Sequence, residues 1–287
     1  MKKRLTGLLA ITFVLVGTLA FAGCSSTSSD TSDTSTDSNP DDVLVVGMEC
    51  DYAPYNWTTT TENDYTVPIS EADFADGYDV ALAQKIADGL DQKLEVKPIS
   101  WEGLIPALQN NEIDLIIAGM TDTEERREAV SFTEPYYESE MVAVVSKESA
   151  YANATDIQDF SGAKVIGQAN TIYDEVIDQI NDVEHMPAQT SFSRMILSVS
   201  SGEADALVGE LPAAKGAIAA NSDLMIIQFG EGHGFEADTS VSIAVNKDNS
   251  DLETQVNKIL DGISTEDREA MMEAAIERQP SSDETTE

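Results

Sequence analysis

From residue 43 onward the sequence alternates between two hydrophobic periodicities, and this alternation limits the fold more than any other feature. Short apolar runs such as VLVVGM (43–48) and IDLIIAGM (113–120) are typical of buried strands. Between them lie segments such as GYDVALAQKIADGL (77–90), in which apolar residues recur along one face of a helix. The alternation predicts an α/β fold with largely parallel sheets, and two separate runs of it predict two lobes.

The first 23 residues differ from the rest of the chain and predict export. The cationic start MKKR is followed by the apolar run LTGLLAITFVLVGTLAFA and then by Gly23-Cys24. This is the pattern of a secretory signal, and a cysteine at the cleavage point resembles a lipobox, so we expect a lipid on Cys24. A retained membrane span is the alternative, because the apolar run is nearly long enough to cross a bilayer. Either way, the remaining chain lies outside the membrane.

Low-complexity sequence follows the leader. Residues 24–42 are expected to form a disordered tether, because SSTSSDTSDTSTDSNPDD is polar and cannot bury apolar surface. Residues 280–287 are expected to form a disordered tail. A lipid followed by a flexible tether would hold a soluble domain near the outer face of the cell membrane.

The chain is strongly acidic, with 53 Asp and Glu residues against 16 Lys and Arg, and a formal net charge of −37. Such a chain repels nucleic acid and anionic lipid, so no nucleic-acid partner is expected. The simplest interpretation is a heavily solvated surface, and the alternative is electrostatic steering of a cationic ligand.

Cysteine and histidine are too sparse to indicate a metal site or a disulfide. Cys50 is the second of two cysteines, and the two histidines, His185 and His233, are isolated from each other in sequence. With Cys24 acylated, no intramolecular disulfide can form. The spacing of metal-ligating residues matches no metal motif, so neither a metal nor a cofactor is predicted.

The residues that follow the apolar strands are the first candidates for a binding site, because ligands of open α/β sheets bind at the C-terminal ends of strands. The strand ending at residue 120 is followed by TDTEERRE, which contains two adjacent arginines. If Thr123 caps a helix, Arg126 and Arg127 point about 100° apart, and only one can face the site. A guanidinium beside hydroxyl and N–H groups suits a carboxylate. The alternative is that both arginines pair with neighbouring glutamates at the surface.

Other strand ends supply groups that complement a carboxylate-binding arginine. Tyr52 and Trp101 offer aromatic faces for an ammonium group or an aliphatic stem. Asn170 and Thr171 open a helix and offer N–H and hydroxyl donors, while Glu210 could receive a cation. Each residue also has a simpler interpretation, as packing, a helix cap or an acid at a helix start. Together these groups fit an α-amino acid.

Two long segments resemble the polar amino-acid-binding proteins of ABC transporters, solute-binding protein family 3: GYDVALAQKIADGL and SWEGLIPALQNNEIDLIIAGMTDTEERREAVSFTEPYY. The resemblance runs from about Val43 to Gln279. It implies a two-lobed periplasmic-binding-protein type II fold, with two mostly parallel sheets and a hinge about which the lobes close. Lobe 1 would comprise residues 43–138 plus 236–279, and lobe 2 residues 139–235.

The family's binding residues can be assigned to this sequence position by position. The carboxylate-binding arginine falls on Arg126. The ammonium-binding acid, usually Asp in the family, falls on Glu210, whose side chain is one methylene longer. The remaining ligand-binding positions fall on Glu49, Tyr52, Trp101, the Gly119 backbone, Thr121, Gln168, Asn170 and Thr171. An insertion-like segment, residues 58–76, is expected to be a surface loop.

The resemblance implies capture rather than catalysis. We expect a monomeric, extracytoplasmic lipoprotein that binds a free amino acid and delivers it to an ABC permease. Glu49 and Glu102 near the pocket favour Lys or Arg, with Gln or another polar amino acid next, and cystine or an unrelated solute last. Two alternatives on the same fold are a cyclohexadienyl dehydratase-like enzyme, with Glu210 or Glu49 as its acid or base, and a ligand-sensing module.

Overall fold

The computed structural model describes residues 43–280. The predicted signal peptide (1–23), the predicted tether (24–42) with Cys24, and residues 281–287 of the predicted tail lie outside this range. Within the described residues, every helix is too short or too polar to cross a membrane.

Strands and helices alternate along the described chain, as the sequence predicts. The strands are β1 (Val43–Met48), β2 (Asp51–Tyr52), β3 (Asn56–Thr59), β4 (Val67–Pro68), β5 (Phe74–Asp76), β6 (Lys93–Pro98), β7 (Leu115–Ile116), β8 (Ser131–Phe132), β9 (Tyr137–Glu138), β10 (Met141–Ser146), β11 (Lys164–Ile166), β12 (Glu184–His185), β13 (Ala206–Glu210), β14 (Leu224–Ile227), β15 (Ser240–Val241) and β16 (Ala244–Val245). The α-helices are α1 (Tyr78–Gly89), α2 (Trp101–Gln109), α3 (Glu124–Ala129), α4 (Ile172–Glu175), α5 (Phe192–Ser200), α6 (Leu211–Ala220), α7 (Ser250–Leu260) and α8 (Thr265–Arg278).

Two five-stranded sheets form the framework. The first has the strand order β6-β1-β7-β16-β8, and we call the part built on it the first lobe. The second has the order β12-β11-β13-β10-β14, and the part built on it is the second lobe. The chain passes between the sheets through the short antiparallel pair β9–β15, in which Tyr137 lies opposite Val241.

Each sheet contains two parallel and two antiparallel strand pairs, so the pairing is more mixed than the expected mostly parallel arrangement. Every antiparallel pair in these two sheets involves β10 or β16. Each of these is the first strand that joins a five-stranded sheet after the chain has passed from one lobe to the other. These strands start at the edge of the sheet where β13 and β7 end, since Met141 lies opposite Glu210 and the Ser242 N–H donates to the Met120 carbonyl. Strands joined by helices instead run toward that edge.

The second sheet is buried on both faces, as the apolar sequence of β10 requires. Val142 and Val144 point into a core that is continuous with the first lobe. Ala143 and Val145, on the opposite face of the same strand, pack into a separate cluster with Phe160. The two lobes therefore share apolar contacts in addition to the chain connections.

Three local differences separate the sequence prediction from the structure. The insertion-like segment 58–76 lies largely at the surface, as expected, but seven of its 19 residues belong to a small antiparallel sheet with the order β2-β3-β5-β4. The helix expected to open at Asn170 and Thr171 divides into α4 and a 3₁₀ helix, Val176–Gln179. The strand predicted over 113–120 pairs in a ladder only at β7, although residues 115–121 are buried throughout.

Candidate functional site

Arg126 lies between the two lobes. Thr123 caps α3 by accepting a hydrogen bond from the Arg126 backbone N–H, as the sequence predicts. The Arg126 guanidinium donates through Nη1 to the Thr121 carbonyl at 2.6 Å and through Nη2 to the Asn170 carbonyl at 2.8 Å. It also lies over the Trp101 ring, 5.1 Å from the centroid. Four of the predicted site residues therefore meet at this side chain.

The Arg126 charge has no carboxylate partner among residues 43–280, since the ion pairs formed there involve other side chains. Burial lowers the pKa of the guanidinium, and the negative charge of Glu175 is the largest opposing influence. A guanidinium remains protonated despite such shifts. A partly buried cation without an ion pair is incompletely solvated, so this position favours an incoming anion.

Arg127 is placed quite differently from its neighbour. Its side chain is 66% exposed and forms a two-point ion pair with Asp122. The sequence predicted a surface residue paired with nearby glutamates, and the surface position is confirmed but the partner is wrong. Asp122 immediately precedes the Thr123 cap, and its carboxylate lies within hydrogen-bond distance of the Arg127 guanidinium.

Asn170 and Thr171 contribute mainly backbone groups. The Asn170 carbonyl accepts from both Arg126 and the Trp101 ring N–H, the latter at 3.2 Å. Asn170 has a left-handed backbone conformation, with φ of 60°. The Thr171 hydroxyl, predicted as a carboxylate donor, donates instead to the Gln168 carbonyl at 2.7 Å. In this conformation the second lobe therefore offers acceptors, rather than the predicted donors, beside Arg126.

A pocket of about 530 Å³ opens between the lobes beside these residues. Its floor and walls combine Arg126 with apolar side chains that include Ile105, Met120 and Ile172. Three carboxylate side chains also line it, and they come from three different helices: Glu102, Glu125 and Glu175. The pocket thus presents one cation and three anions to whatever enters it.

Glu210 ends β13 and is completely buried at the lobe interface. Its two carboxylate oxygens accept hydrogen bonds from the Tyr52 and Tyr55 hydroxyls of the first lobe, the Tyr55 bond measuring 2.6 Å. The two rings are stacked, with centroids 5.3 Å apart. Burial raises the pKa of Glu210 to about 7, although both tyrosine hydroxyls act in the opposite direction. The acid predicted to bind an ammonium group is therefore shielded by phenols in this conformation.

Glu49 and Gln168 form a second contact across the interface, a long one of 3.5 Å. Burial raises the pKa of Glu49 to about 7, and the hydrogen bond from Gln168 partly offsets this effect. Glu49 does not line the Arg126 pocket. It lines a separate cavity of about 780 Å³, whose apolar wall comes from β3, α5 and α6.

Gly119 follows β7 in a left-handed conformation, with φ of 60°. A Cβ atom here would lie 3.1 Å from the Tyr52 ring, so glycine allows both the backbone turn and the close approach of the aromatic ring. The Gly119 N–H donates to the Tyr136 hydroxyl at 2.9 Å. Gly119 is thus held directly beneath Tyr52.

The structure brings the ten predicted binding residues to one interface, but only four of them line the Arg126 pocket: Trp101, Arg126, Asn170 and Thr171. The sequence reading missed the tyrosines around Glu210, namely Tyr55 and Tyr173. Burial, and then the adjacent Glu210 charge, raise the pKa of Tyr173 well above its usual value. Their aromatic character was visible in the sequence, but nothing there indicated that they converge on one carboxylate. Among the described residues, no group of three or more His, Cys, Asp or Glu side chains could hold a metal ion.

Comparisons with known proteins agree with this architecture. An arginine-binding extracellular protein, ArtP of Bacillus subtilis, is 28% identical over 219 residues, which are 76% of this chain and 79% of ArtP. A probable histidine-binding protein of Campylobacter jejuni is 27% identical over 242 residues, covering 83% of this chain and 87% of its own. These relatives are named as binding proteins rather than enzymes, which agrees with the expectation of ligand capture rather than catalysis.

Solved structures show the same fold. The crystal structure of AbpA of Streptococcus pneumoniae, an amino acid ABC transporter substrate-binding protein bound to L-arginine, matches with a TM-score of 0.70 and 25% identity. The match covers 82% of this chain and 95% of that one. The family model for bacterial extracellular solute-binding proteins, family 3, matches residues 44–274. The chain therefore belongs to the bacterial extracellular solute-binding proteins, family 3.

Proposed function

We propose that this protein captures a free basic amino acid, arginine or lysine, outside the membrane and delivers it to an ABC permease. The observation that carries the proposal is the partly buried guanidinium of Arg126, which has no ion-pair partner among residues 43–280 and faces a pocket between the lobes. The ligand's carboxylate would supply the missing charge through the planar fork that arginine offers.

The α-ammonium group of the ligand would be received by Glu210. Both oxygens of this carboxylate accept from tyrosine hydroxyls, which are neutral donors. An ammonium group forms stronger, charge-assisted hydrogen bonds to a carboxylate than a phenol does, so it can displace one hydroxyl at a net gain. It would also favour the charged form of Glu210, whose pKa is raised to about 7 by burial.

The acidic lining of the site supports a basic side chain over an amide. Glu102, Glu125 and Glu175 line the pocket, and Glu49 lies at the lobe interface, where it lines a separate cavity. The aromatic ring of Trp101 can hold the aliphatic stem or the cation of such a ligand. Relatives named as arginine-binding and histidine-binding agree with this choice. Glutamine is the second candidate, which relatives named as glutamine-binding proteins support.

Binding would close the two lobes. Arg126 and Tyr52 of the first lobe contact Asn170 and Glu210 of the second, so a bound amino acid would be held by both. We place the lobes at 43–138 plus 236–279 and at 139–235, with the ligand stabilising the closed form. A lipid on Cys24 would keep the protein, as a monomer, next to the permease.

The direct test is a thermal-shift screen of the twenty amino acids, followed by calorimetry on those that stabilise the protein. A ligand at about 100 times its Kd adds about 2.7 kcal/mol of stability and raises the Tm by a few degrees. We expect arginine or lysine to give the largest shift. A shift with glutamine alone would overturn the basic class, and no shift with any amino acid would overturn the proposed function.

A further inference from the structure

Asp79 is a completely buried carboxylate that belongs to neither pocket. It lies in the first turn of α1, and its two oxygens accept from two side chains on different parts of the first lobe. Asn56 Nδ2 donates to Oδ2 at 2.8 Å. The Tyr136 hydroxyl donates to Oδ1, also at 2.8 Å.

Each of these two partners holds a backbone N–H next to the binding site. Asn56 Oδ1 accepts from the Cys50 N–H at 2.8 Å. The Tyr136 hydroxyl oxygen accepts from the Gly119 N–H at 2.9 Å. Two arms therefore run from one carboxylate, one to the loop after β1 and the other to the loop after β7.

Both arms end on backbone in the left-handed region, with φ of 55° at Cys50 and 60° at Gly119. Cys50 is not a glycine, so its conformation is costly unless the surroundings fix it. Cys50 separates Glu49 from the loop that carries Tyr52, and Gly119 precedes Thr121 on the chain toward Arg126. The two left-handed positions thus set the direction of the loops on which the first lobe presents its binding groups.

The donor pattern of this network has one consistent arrangement. The Cys50 N–H must find an acceptor, which fixes Asn56 with its oxygen toward Cys50 and its NH₂ toward Asp79. The Gly119 N–H occupies the Tyr136 oxygen, so that hydroxyl donates toward Asp79. Asp79 must therefore accept twice, which an ionised carboxylate does and an amide in the same place does not.

We infer that Asp79 is a positioning residue, which holds both ligand-facing loops of the first lobe in their binding conformation without touching the ligand. The inference deepens the proposed function and rests on it for the identity of the ligand. The rival explanation is that Asp79 supports the fold of the lobe as a whole, with no particular effect on these loops.

The donor pattern suggests a pair of substitutions that separates the two explanations. Asp79→Asn places an NH₂ group where an acceptor is needed and breaks one arm. Asn56→Asp alone places two carboxylates against each other. The double variant Asp79→Asn with Asn56→Asp restores the pattern. Its carboxylate at position 56 would accept from the Cys50 N–H and from the amide at position 79, whose oxygen still accepts from Tyr136. Tyr136→Phe removes only the Gly119 arm.

Amide hydrogen exchange of the full-length protein, followed by mass spectrometry, reads out the loops without any ligand. We expect faster exchange around residue 50 or residue 119 in Asp79→Asn, around residue 119 alone in Tyr136→Phe, and recovery of both in the double variant. Asp114→Ala is the matched control, because Asp114 accepts from the Val45 N–H of the same lobe at 2.8 Å, away from these loops. Uniformly faster exchange across the lobe in Asp79→Asn, or no recovery in the double variant, would overturn the inference.

Calorimetry with L-arginine at a temperature where all variants are folded gives the second readout. We expect Asp79→Asn to weaken binding about tenfold, the double variant to regain most of the loss, and Asp114→Ala to bind normally. Wild-type affinity in Asp79→Asn would overturn the positioning role. If wild type itself does not bind L-arginine, the proposed ligand fails, and the exchange experiment still decides the role of Asp79.

Discussion

The two lobes contribute to the cleft in different ways. In the first lobe, hydrogen bonds through Asn56 and Tyr136 connect the loops after β1 and β7 to the buried Asp79. In the second lobe, the Asn170 carbonyl and the Glu210 carboxylate accept hydrogen bonds from first-lobe side chains, and Tyr173 of the second lobe also adjoins Glu210. The first lobe thus fixes these two loops through its own buried network, whereas the ligand-facing groups of the second lobe depend more on contacts that cross the cleft.

This difference suggests an order of events. A ligand can first bind to the preorganised first lobe, where its carboxylate would pair with Arg126, before the second lobe moves. Closure then exchanges contacts between Glu210 and tyrosines for contacts with the ligand. Substitutions in the first lobe should therefore remove binding, while substitutions in the second should weaken the closed state.

The largest expected effect is that of Arg126→Ala. Removing one partner of a desolvated ion pair costs about 3–5 kcal/mol, so amino-acid affinity should fall on the order of several hundredfold or more. Calorimetry measures the loss directly. Arg126→Lys keeps the charge but not the bidentate fork, and should recover only part of the affinity. Unchanged binding by Arg126→Ala would contradict the assignment of the carboxylate site.

Glu210→Gln should have the next largest effect. The amide keeps the size of the side chain but loses the charge that attracts an ammonium group, so affinity should fall roughly 10–100-fold. X-ray scattering with saturating ligand should show a larger share of open molecules than in wild type. Glu203→Gln is a suitable control, because Glu203 is exposed in the same lobe and contacts Ser198 rather than the cleft. Equal affinities in the two variants would mean that Glu210 does not receive the ammonium group.

A smaller effect should appear in the pH dependence of stability. Burial raises the pKa of Glu49, Asp79 and Glu210 to about 7, well above the value near 4 of an acid in an unfolded chain. The folded protein therefore binds protons more tightly, so the stability contributed by these groups is full below about pH 4 and is lost as pH rises through 7. At about 1.4 kcal/mol per pKa unit, each shift corresponds to roughly 3–4 kcal/mol.

Thermal denaturation between pH 5 and pH 8 should accordingly show a falling Tm. Charge repulsion within a chain of net charge −37 also lowers the Tm as pH rises. The test is therefore the comparison of the pH dependence of Tm between Glu210→Gln and wild type. Glu210→Gln should show a shallower fall than wild type. A bound cationic ligand should also flatten the curve, because it stabilises the charged form of Glu210. An identical slope in Glu210→Gln would contradict the role of its burial.

The sequence predicted those site residues that can be recognised from their position after a strand or at the start of a helix. Helix geometry showed that only one of Arg126 and Arg127 can face the site, and the family resemblance assigned that position to Arg126. Sequence reasoning did not reach Tyr55 and Tyr173, because these residues are 118 positions apart in the chain and converge on Glu210 only after the lobes pack. It also missed Asp79, since an acid in the first turn of a helix is ordinary in sequence and unusual only when buried.

Arg127→Ala should have the smallest effect, and it tests the geometric separation of the two arginines. The Arg127 side chain is largely exposed and pairs with Asp122, and exposed ion pairs contribute little because solvent screens them. Ligand affinity should therefore change less than about twofold, even though Arg127 adjoins the residue whose loss removes binding. Calorimetry of the two alanine variants side by side measures the contrast. A loss of affinity in Arg127→Ala comparable to that in Arg126→Ala would show that the start of α3, rather than one guanidinium, recognises the ligand.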